Sequence, residues 1–500
     1  MSINIDELKK NPVFNMSLSG KEIFHSNVLA WLLSETDDNG VEEDDDNGEP
    51  TQTAKNLSEL FPPKDKKEGE QYRVLTVFRE KNDFDLLVLY LEEDDYKKFK
   101  EARKNVPDDA KINIEDTTDE IKFDSDKKDI LEKQMDCLAK CKFVVIENKF
   151  KAIPDSEQLD RYYFEICGYK KNRNNDWHNK NNINLVNISN VKFANNGKIQ
   201  VNEGNTTCYL LAPQEALNLF RNNSKKYTNK KEFDYKYTEK GKTLTKTKET
   251  LAIEWSFVSY NDLIEKIVPV GNNKFILEKY KSFTRQMLEL STEAVNVDEN
   301  TELYAFEETV KSLKSIRIHD FYEKLWFSAV MSVIKQNLPK EINEGLSTEV
   351  GYTNGMGMLN FLYTFTDKKL NNAKYGIEIQ GKQFRLFVYT NKKDEWSLDK
   401  TGNKIPENQK YEKIFHWLRS LIPNSNQISK IVCNAKGELE YTITDKEELR
   451  LGKFNEFKHI KFSLDPHISI RTLTQKIIEF LGIMKNNENS FDATIKSNKK

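Results

Sequence analysis

Glu147 and Lys149 close the run Phe143-Val144-Val145-Ile146-Glu147-Asn148-Lys149. β-Branched and aromatic residues of this kind form a buried strand, which normally runs out into turn residues rather than into a carboxylate and an amine. Side chains alternate across a strand, so Glu147 and Lys149 share a face about 7 Å apart, within reach of one phosphate and one metal ion. A second carboxylate, Asp85, heads the apolar run Phe84-Asp85-Leu86-Leu87-Val88-Leu89. Pairing of the two strands would bring Asp85 beside Glu147. Two carboxylates with room for water suit Mg²⁺ or Mn²⁺, ions that can bridge a scissile phosphate and activate a bound water. The Lys149 ammonium can then neutralise charge developing on phosphorus or orient the attacking water. Glu-x-Lys by itself is ordinary surface charge in a chain with 77 Lys+Arg and 80 Asp+Glu; the apolar lead-in and Asp85 set this one apart.

A layer of regular elements must hold these residues. Lys21 to Leu33 reads as an amphipathic helix with Ile23, Phe24, Val28, Leu29, Trp31 and Leu32 as its apolar positions. Tyr72 to Glu80 and Phe84 to Leu91 read as strands joined by a hairpin at Lys81-Asn82-Asp83. A helix is expected around Ile130 to Ala139. Another opens at Pro154 and Asp155 and runs to about Tyr169, where Gly168 would help to end it. Strands at Cys208 to Pro213 and Glu254 to Tyr260 complete the order helix, three strands, helix, two strands. That order indicates an α/β fold, a mixed central sheet flanked by helices. Polar stretches at about 37–66, 92–142, 172–205 and 221–248 read as insertions.

With 500 residues and 58.5 kDa, the chain exceeds what one core usually supports, so two domains are expected: 1–295 with the site, and an α+β domain of unknown role at 296–485. Helices at Asp320 to Gln336, Tyr411 to Leu421 and Ile468 to Ile483, and strands at Leu359 to Thr366, Tyr375 to Gln380 and Gln383 to Tyr389, belong to the second. Residues 486–500 read as a flexible tail. A net charge of −3 gives no global basic field, so any nucleic-acid contact must be local. One local patch is Arg221 to Lys248, where lysines alternate with Tyr227, Phe233, Tyr235 and Tyr237; it reads as a nucleic-acid-contacting loop or simply as a solvated one. Five cysteines form no CxxC pair, so neither a disulfide framework nor a zinc site is expected. Asp6 and Glu7 near the N-terminus and the lack of an 18-residue apolar run argue against secretion and membrane spanning, and a cytoplasmic location is expected. Gly241-Lys242-Thr243 lacks the earlier glycine of a phosphate-binding loop, and Trp177-His178-Asn179 has no partner ligands for a metal motif.

Taken together, Lys21 to Leu33, Asp83-Phe84-Asp85, Ile146-Glu147-Asn148-Lys149, Gln158-Leu159-Asp160-Arg161-Tyr162, Tyr209 to Pro213 and Trp255 to Tyr260 resemble the PD-(D/E)XK nuclease superfamily. The likeness is specifically to its bacterial members with a Glu-containing first helix and Gln-x-x-x-Tyr after the core motif. The resemblance covers roughly residues 10 to 290. It implies a restriction-endonuclease-like core, divalent-metal-dependent hydrolysis of phosphodiester bonds, and a core site of Asp85, Glu147 and Lys149. It further implies Glu22 as an accessory metal carboxylate and favours a place for Gln158 in the cleft. Gln158 could instead close a capping box with Asp155. Tyr162, one turn on, could bond the backbone or the Lys149 amine, or be ordinary core. His25, three residues after Glu22, is open between a buried hydrogen-bonding role and a metal or phosphate contact. The partner implied is nucleic acid, DNA ahead of RNA, and defence against foreign DNA fits such proteins. The second domain would supply target recognition, oligomer contacts or protein-partner binding. Phe84 stands where the family's name has proline, and the long Asp85 to Glu147 interval leaves the approach of substrate open. A different class stays in view: a catalytically silent module that binds nucleic acid or protein.

Overall fold

A long apolar strand pair, buried on both faces, organises the N-terminal half of the protein. The computed structural model describes residues 8, 10–34, 49–79, 84–104, 133–134, 136–138, 140–152, 154, 158–159, 162, 169–171, 177–179, 206–223, 231–239, 242–250, 255–353, 355–366, 373–390, 407–422, 428–443, 451–454 and 457–491. It divides into two compact units, Met1–Glu289 and Leu290–Lys500, where the sequence led us to expect a boundary at 295/296.

In the first unit, helix α1 (Pro12–Ser34) and helix α2 (Gln52–Leu60) precede strands β1 (Tyr72–Arg79) and β2 (Leu86–Glu92). Helix α3 (Glu93–Arg103), β3 (Lys142–Asn148), β4 (Tyr169–Lys171), β5 (Trp177–Asn179) and β6 (Thr206–Ala212) follow. Then come α4 (Gln214–Asn223), β7 (Lys231–Glu239), β8 (Lys242–Thr250), β9 (Trp255–Ser259), α5 (Tyr260–Lys266) and α6 (Lys274–Val295), which crosses the boundary. The main sheet has the order β1-β2-β3-β6-β9. β1, β2 and β3 form an antiparallel meander, while β6 and β9 run parallel to β3 and to each other. The inner strands read as nearly unbroken apolar runs because both of their faces are covered. Leu86, Val88, Leu89, Phe143, Val144 and Leu210 are fully buried. A capping box at Ser259 and Asp262 starts α5 directly from the end of β9.

The insertions are more ordered than their polarity suggested. Within 37–66, α2 is capped by Thr51, whose side chain accepts from the Ala54 amide, and it buries Ala54 and Leu57. Within 92–142, α3 buries Phe99. Within 221–248 the described residues are regular: β7 and β8 form an antiparallel hairpin, and with β4 and β5 they make a second sheet of order β4-β5-β7-β8. Trp177-His178-Asn179, expected in a loop, is therefore β5, and Tyr169, expected at a helix end, begins β4. The expected cap at Asp155 and the stop at Gly168 lie outside the described residues.

The second unit contains α7 (Glu307–Leu313), α8 (His319–Asn337), β10 (Ser347–Thr353), β11 (Met356–Thr364), β12 (Lys374–Gln380), β13 (Gln383–Tyr389) and α9 (Glu407–Ser420). Strands β14 (Ile428–Cys433), β15 (Leu439–Ile443), β16 (Gly452–Phe454) and β17 (Phe457–Leu464) lead to α10 (Ile470–Asn486). Its strands form one mixed sheet, β10-β11-β12-β13-β17-β14-β15 with β16 beside β17. The expected flexible tail is corrected at its start: Phe491 is buried against Phe365 and Trp417, and the Trp417 indole donates to the Asn487 carbonyl. Residues 492–500 lie outside the described set. No helix among the described residues is long and apolar enough to cross a membrane.

Candidate active site

The β2–β3 register decides where the carboxylates stand. Leu86 pairs with Ile146 and Leu87 with Val145, so continuing the ladder by one residue sets Asp85 opposite Glu147. Directly opposed residues of an antiparallel pair share a face, with Cα atoms roughly 5 Å apart. The Asn148 amide, next along β3, donates to Asp85 Oδ2 at 2.7 Å and ties that carboxylate to the strand. On the other side of β3, the Lys149 amide donates to the Leu211 carbonyl at 2.8 Å, anchoring the strand end to β6.

Glu147 is fully buried and Lys149 is 7 % exposed. Lys149 Nζ lies 2.7 Å from Glu147 Oε1, and the Gln158 amide donates to the same oxygen at 2.8 Å. Gln158 also donates to the Tyr162 hydroxyl at 2.7 Å. Residues 158–159 and 162 are helical, so this pair sits one turn apart and shares a face. Both donors converge on Oε1, and the buried Oε2 has no hydrogen-bond partner. Burial, then the nearby Asp85 charge, pushes the Glu147 carboxyl up to about 8 against the pull of Lys149 and Tyr162. Burial and the Glu147 charge likewise raise the Tyr162 phenol, with Gln158 pulling the other way.

A cleft of about 420 Å³ opens on Asp85, lined also by Ile23, Ser26, Asn27, Val77, Phe78 and Arg79. Helix α1 supplies one wall and β1 the other. Arg79 spans the two walls, donating from Nη1 to Asn27 Oδ1 at 2.8 Å.

Of the residues named from sequence, Asp85, Glu147, Lys149, Gln158 and Tyr162 come together in this one place. Glu22 lies on α1, and its side chain is outside the described residues. His25 does not line the cleft. It is fully buried, stacked 3.8 Å from Phe150 and surrounded by Phe24, Tyr260, Tyr280 and Phe283, and Nδ1 lies 3.2 Å from the Tyr280 hydroxyl. Of the two roles left open by the sequence, this geometry favours the buried hydrogen-bonding one over a metal or phosphate contact: His25 is a core residue bonded to Tyr280. Burial, and then Lys151, holds its imidazole well below the usual range.

Sequence reasoning passed over Asn148, the middle residue of the motif. It is fully buried, its amide nitrogen donates to Ser26 Oγ at 3.1 Å, and its carbonyl oxygen accepts from the Tyr260 hydroxyl at 2.6 Å. It thereby links β3 to α1 and α5 while its backbone holds Asp85. Its signal was faint: a polar residue on the opposite face of a strand buried on both sides. Asn148→Ala removes both side-chain bonds at once and is expected to lower stability by roughly 2 kcal/mol or more. The check is a urea midpoint that falls with unchanged slope. A midpoint equal to wild type would show that the bonds are not made.

The donor set fits a hard divalent ion in part. Two carboxylates oppose each other, one has a buried oxygen without a partner, and the cleft reaches Asp85. Among the described residues, no three His, Cys, Asp or Glu side chains gather to hold a metal, so these two carboxylates and water would have to suffice unless Glu22 joins them. Compared with protein-family profiles, curated proteins and solved structures, the chain matches none.

Proposed function

We propose that the first unit is a divalent-metal-dependent nuclease that hydrolyses phosphodiester bonds, with a restriction-endonuclease-like core of the PD-(D/E)XK type. One observation carries the reading: Asp85 and Glu147 stand opposite each other at the ends of adjacent strands, with the Lys149 ammonium 2.7 Å from Glu147 and an open cleft at Asp85. The antiparallel meander followed by a parallel strand supports the same reading, since Asp85, Glu147 and Lys149 then fall at the same end of two inner strands.

Asp85 and Glu147 would hold Mg²⁺ or Mn²⁺, with Glu22 as the further carboxylate suggested by the sequence. Bound there, the ion would supply Lewis acidity at the phosphate and a water of lowered pKa. The chain's own residues do the rest. Gln158 and Lys149 fix Glu147 through Oε1, leaving Oε2 for the ligand. The Asn148 amide holds Asp85 in register. Lys149 carries the positive charge that the phosphorus centre needs as negative charge builds on its oxygens.

The test is cleavage of plasmid, single-stranded DNA and RNA by the purified full chain in Mg²⁺ or Mn²⁺, against the same reactions in EDTA. Metal-dependent cleavage of at least one substrate is expected. Binding without cleavage would instead favour a catalytically silent module, a reading that draws on the small donor set among the described residues.

Arg79 faces the same cleft and suits a flanking phosphate, which a guanidinium grips through paired N–H groups. Arg79→Ala is expected to raise KM about tenfold with kcat little changed, because a flanking phosphate is held equally in ground and transition states. Steady-state kinetics on an oligonucleotide would decide; an unchanged KM would remove Arg79 from the substrate path.

A further inference from the structure

The register of the second sheet separates its aromatic residues from most of its acidic ones, while lysines stand on both faces, Lys170 and Lys236 at the positions alternate to the aromatics. β7 and β8 pair so that Phe233 is opposite Lys248 and Tyr235 opposite Lys246. β5 runs parallel to β7 with Trp177 beside Tyr235, and β4 sets Lys171 beside Trp177. Lys171, Trp177, Tyr235 and Lys246 thus form one cross-strand row over four strands. Residues paired across a sheet share a face and alternate residues take the other, so Phe233 and Lys248 belong to the face of that row. The acidic residues Glu232, Asp234 and Glu249 occupy the alternate positions. Glu239, opposite Lys242 at the hairpin end, is the exception.

We infer that this register, setting Trp177, Phe233 and Tyr235 in the same rows as Lys171, Lys246 and Lys248, makes one face of the β4-β5-β7-β8 sheet a binding platform for single-stranded nucleic acid. Charge complementarity selects the occupant. Lysines at strand spacing match a phosphodiester backbone, and aromatic rings between them offer stacking surfaces to unpaired bases, whereas a duplex keeps its base faces covered. A hairpin packed on a core by one face also alternates, but that face would be apolar, whereas here Lys171, Lys246 and Lys248 stand in the aromatic rows. Chain connectivity keeps the platform near the candidate active site: β4 begins seven residues after Tyr162, a span of at most about 25 Å. The inference rests on the proposed function for the reason that nucleic acid reaches this unit, but binding and cleavage are measured separately.

The experiment is fluorescence anisotropy of the full chain in EDTA, where cleavage does not run. The probes are fluorescein-labelled oligothymidylate, oligouridylate and a blunt duplex of the same length, each titrated over a range of salt. Both single strands are expected to bind more tightly than the duplex, and the ratio between them reports DNA against RNA. Replacing Lys171, Lys246 and Lys248 together by Gln is expected to reduce the slope of log K against log salt by about 2, from about 0.7 per phosphate contact. Tyr235→Ala is expected to weaken binding about fivefold or more, with Tyr235→Phe near wild type. Glu232→Gln with Asp234→Asn, on the other face, is expected to cause no loss. A preference for duplex, no binding by wild type, or an unchanged slope in the lysine variant would overturn the inference. If Tyr235→Ala fails to fold, the lysine arm decides alone. Salt-dependent binding without cleavage would keep this face and overturn the nuclease; cleavage with an unchanged slope would do the reverse.

Discussion

Glu147→Gln is expected to lower metal-dependent cleavage by about 10³-fold or more while the protein stays folded. The fold survives because the carboxyl, pushed up to about 8, is already protonated at neutral pH in the metal-free protein, and a carboxamide is its close mimic. What glutamine cannot do is shed a proton and offer an anionic Oε2 to a divalent ion. Asp85→Asn is expected to lose activity on a similar scale. Lys149→Ala is expected to cost roughly 10²- to 10³-fold through lost stabilisation of charge at phosphorus. Gln158→Ala, which only orients Glu147 Oε1, should cost about 10- to 100-fold. Groups that act as a unit are strongly non-additive, so Glu147→Gln with Lys149→Ala should be little worse than Glu147→Gln alone. Initial rates on one substrate, with circular dichroism on each variant, test the set. Equal cleavage by wild type and Glu147→Gln would remove the proposed site.

Where the chain announced itself, it did so by strand periodicity and by pairs of elements. The runs at Phe84 to Leu89 and Phe143 to Lys149 were legible because strands buried on both faces must be apolar throughout, which makes the charges at their ends conspicuous. Adjacent pairing of these two runs was enough to bring Asp85 beside Glu147, and the ladder from Leu86–Ile146 does so. Helices α2 and α3 were not legible, because each buries only a narrow stripe, Ala54 and Leu57 in one and Phe99 in the other, within otherwise polar sequence. The β7–β8 hairpin was hidden for a related reason: lysine and threonine fill positions where a sheet usually shows apolar residues, so alternation of aromatic with polar residues passed for a loop. Strands β10, β14, β15, β16 and β17 escaped notice in a domain where no chemistry drew attention to them. His25 shows the limit of spacing arguments. Three residues from Glu22 it shares that residue's side of α1 in a helical wheel, yet the aromatic cluster of Phe150, Tyr280 and Phe283 claims it for the core.

Buried titratable groups of opposite kind give the metal-free protein a distinctive pH dependence. Glu147 has a folded value of about 8, above its ordinary 4.5, so between those limits the folded protein holds a proton that the unfolded chain has released. Its contribution is fully present below about 4.5 and is lost as pH rises toward 8, at about 1 kcal/mol per pH unit. His25 acts in the other direction. Its folded value lies well below 6.5, so as pH falls below 6.5 the unfolded chain takes up a proton that the folded one refuses, and stability is lost at a similar rate. Between 4.5 and 6.5 the two slopes oppose each other, and above 6.5 that of Glu147 acts without His25. Glu323 and Glu378, raised chiefly by burial, act in the same sense as Glu147, so the difference between proteins is the clean measurement. In EDTA, urea unfolding should show wild type losing several kcal/mol relative to Glu147→Gln as pH rises from about 4.5 to 8. His25→Gln should reduce the loss on the acid side alone and not abolish it, because His459, lowered to about 4 chiefly by burial, acts in the same sense. A difference between wild type and Glu147→Gln that does not change with pH would mean that Glu147 is ionised throughout. The buried Oε2 would then need a permanent partner rather than a ligand that arrives with the substrate.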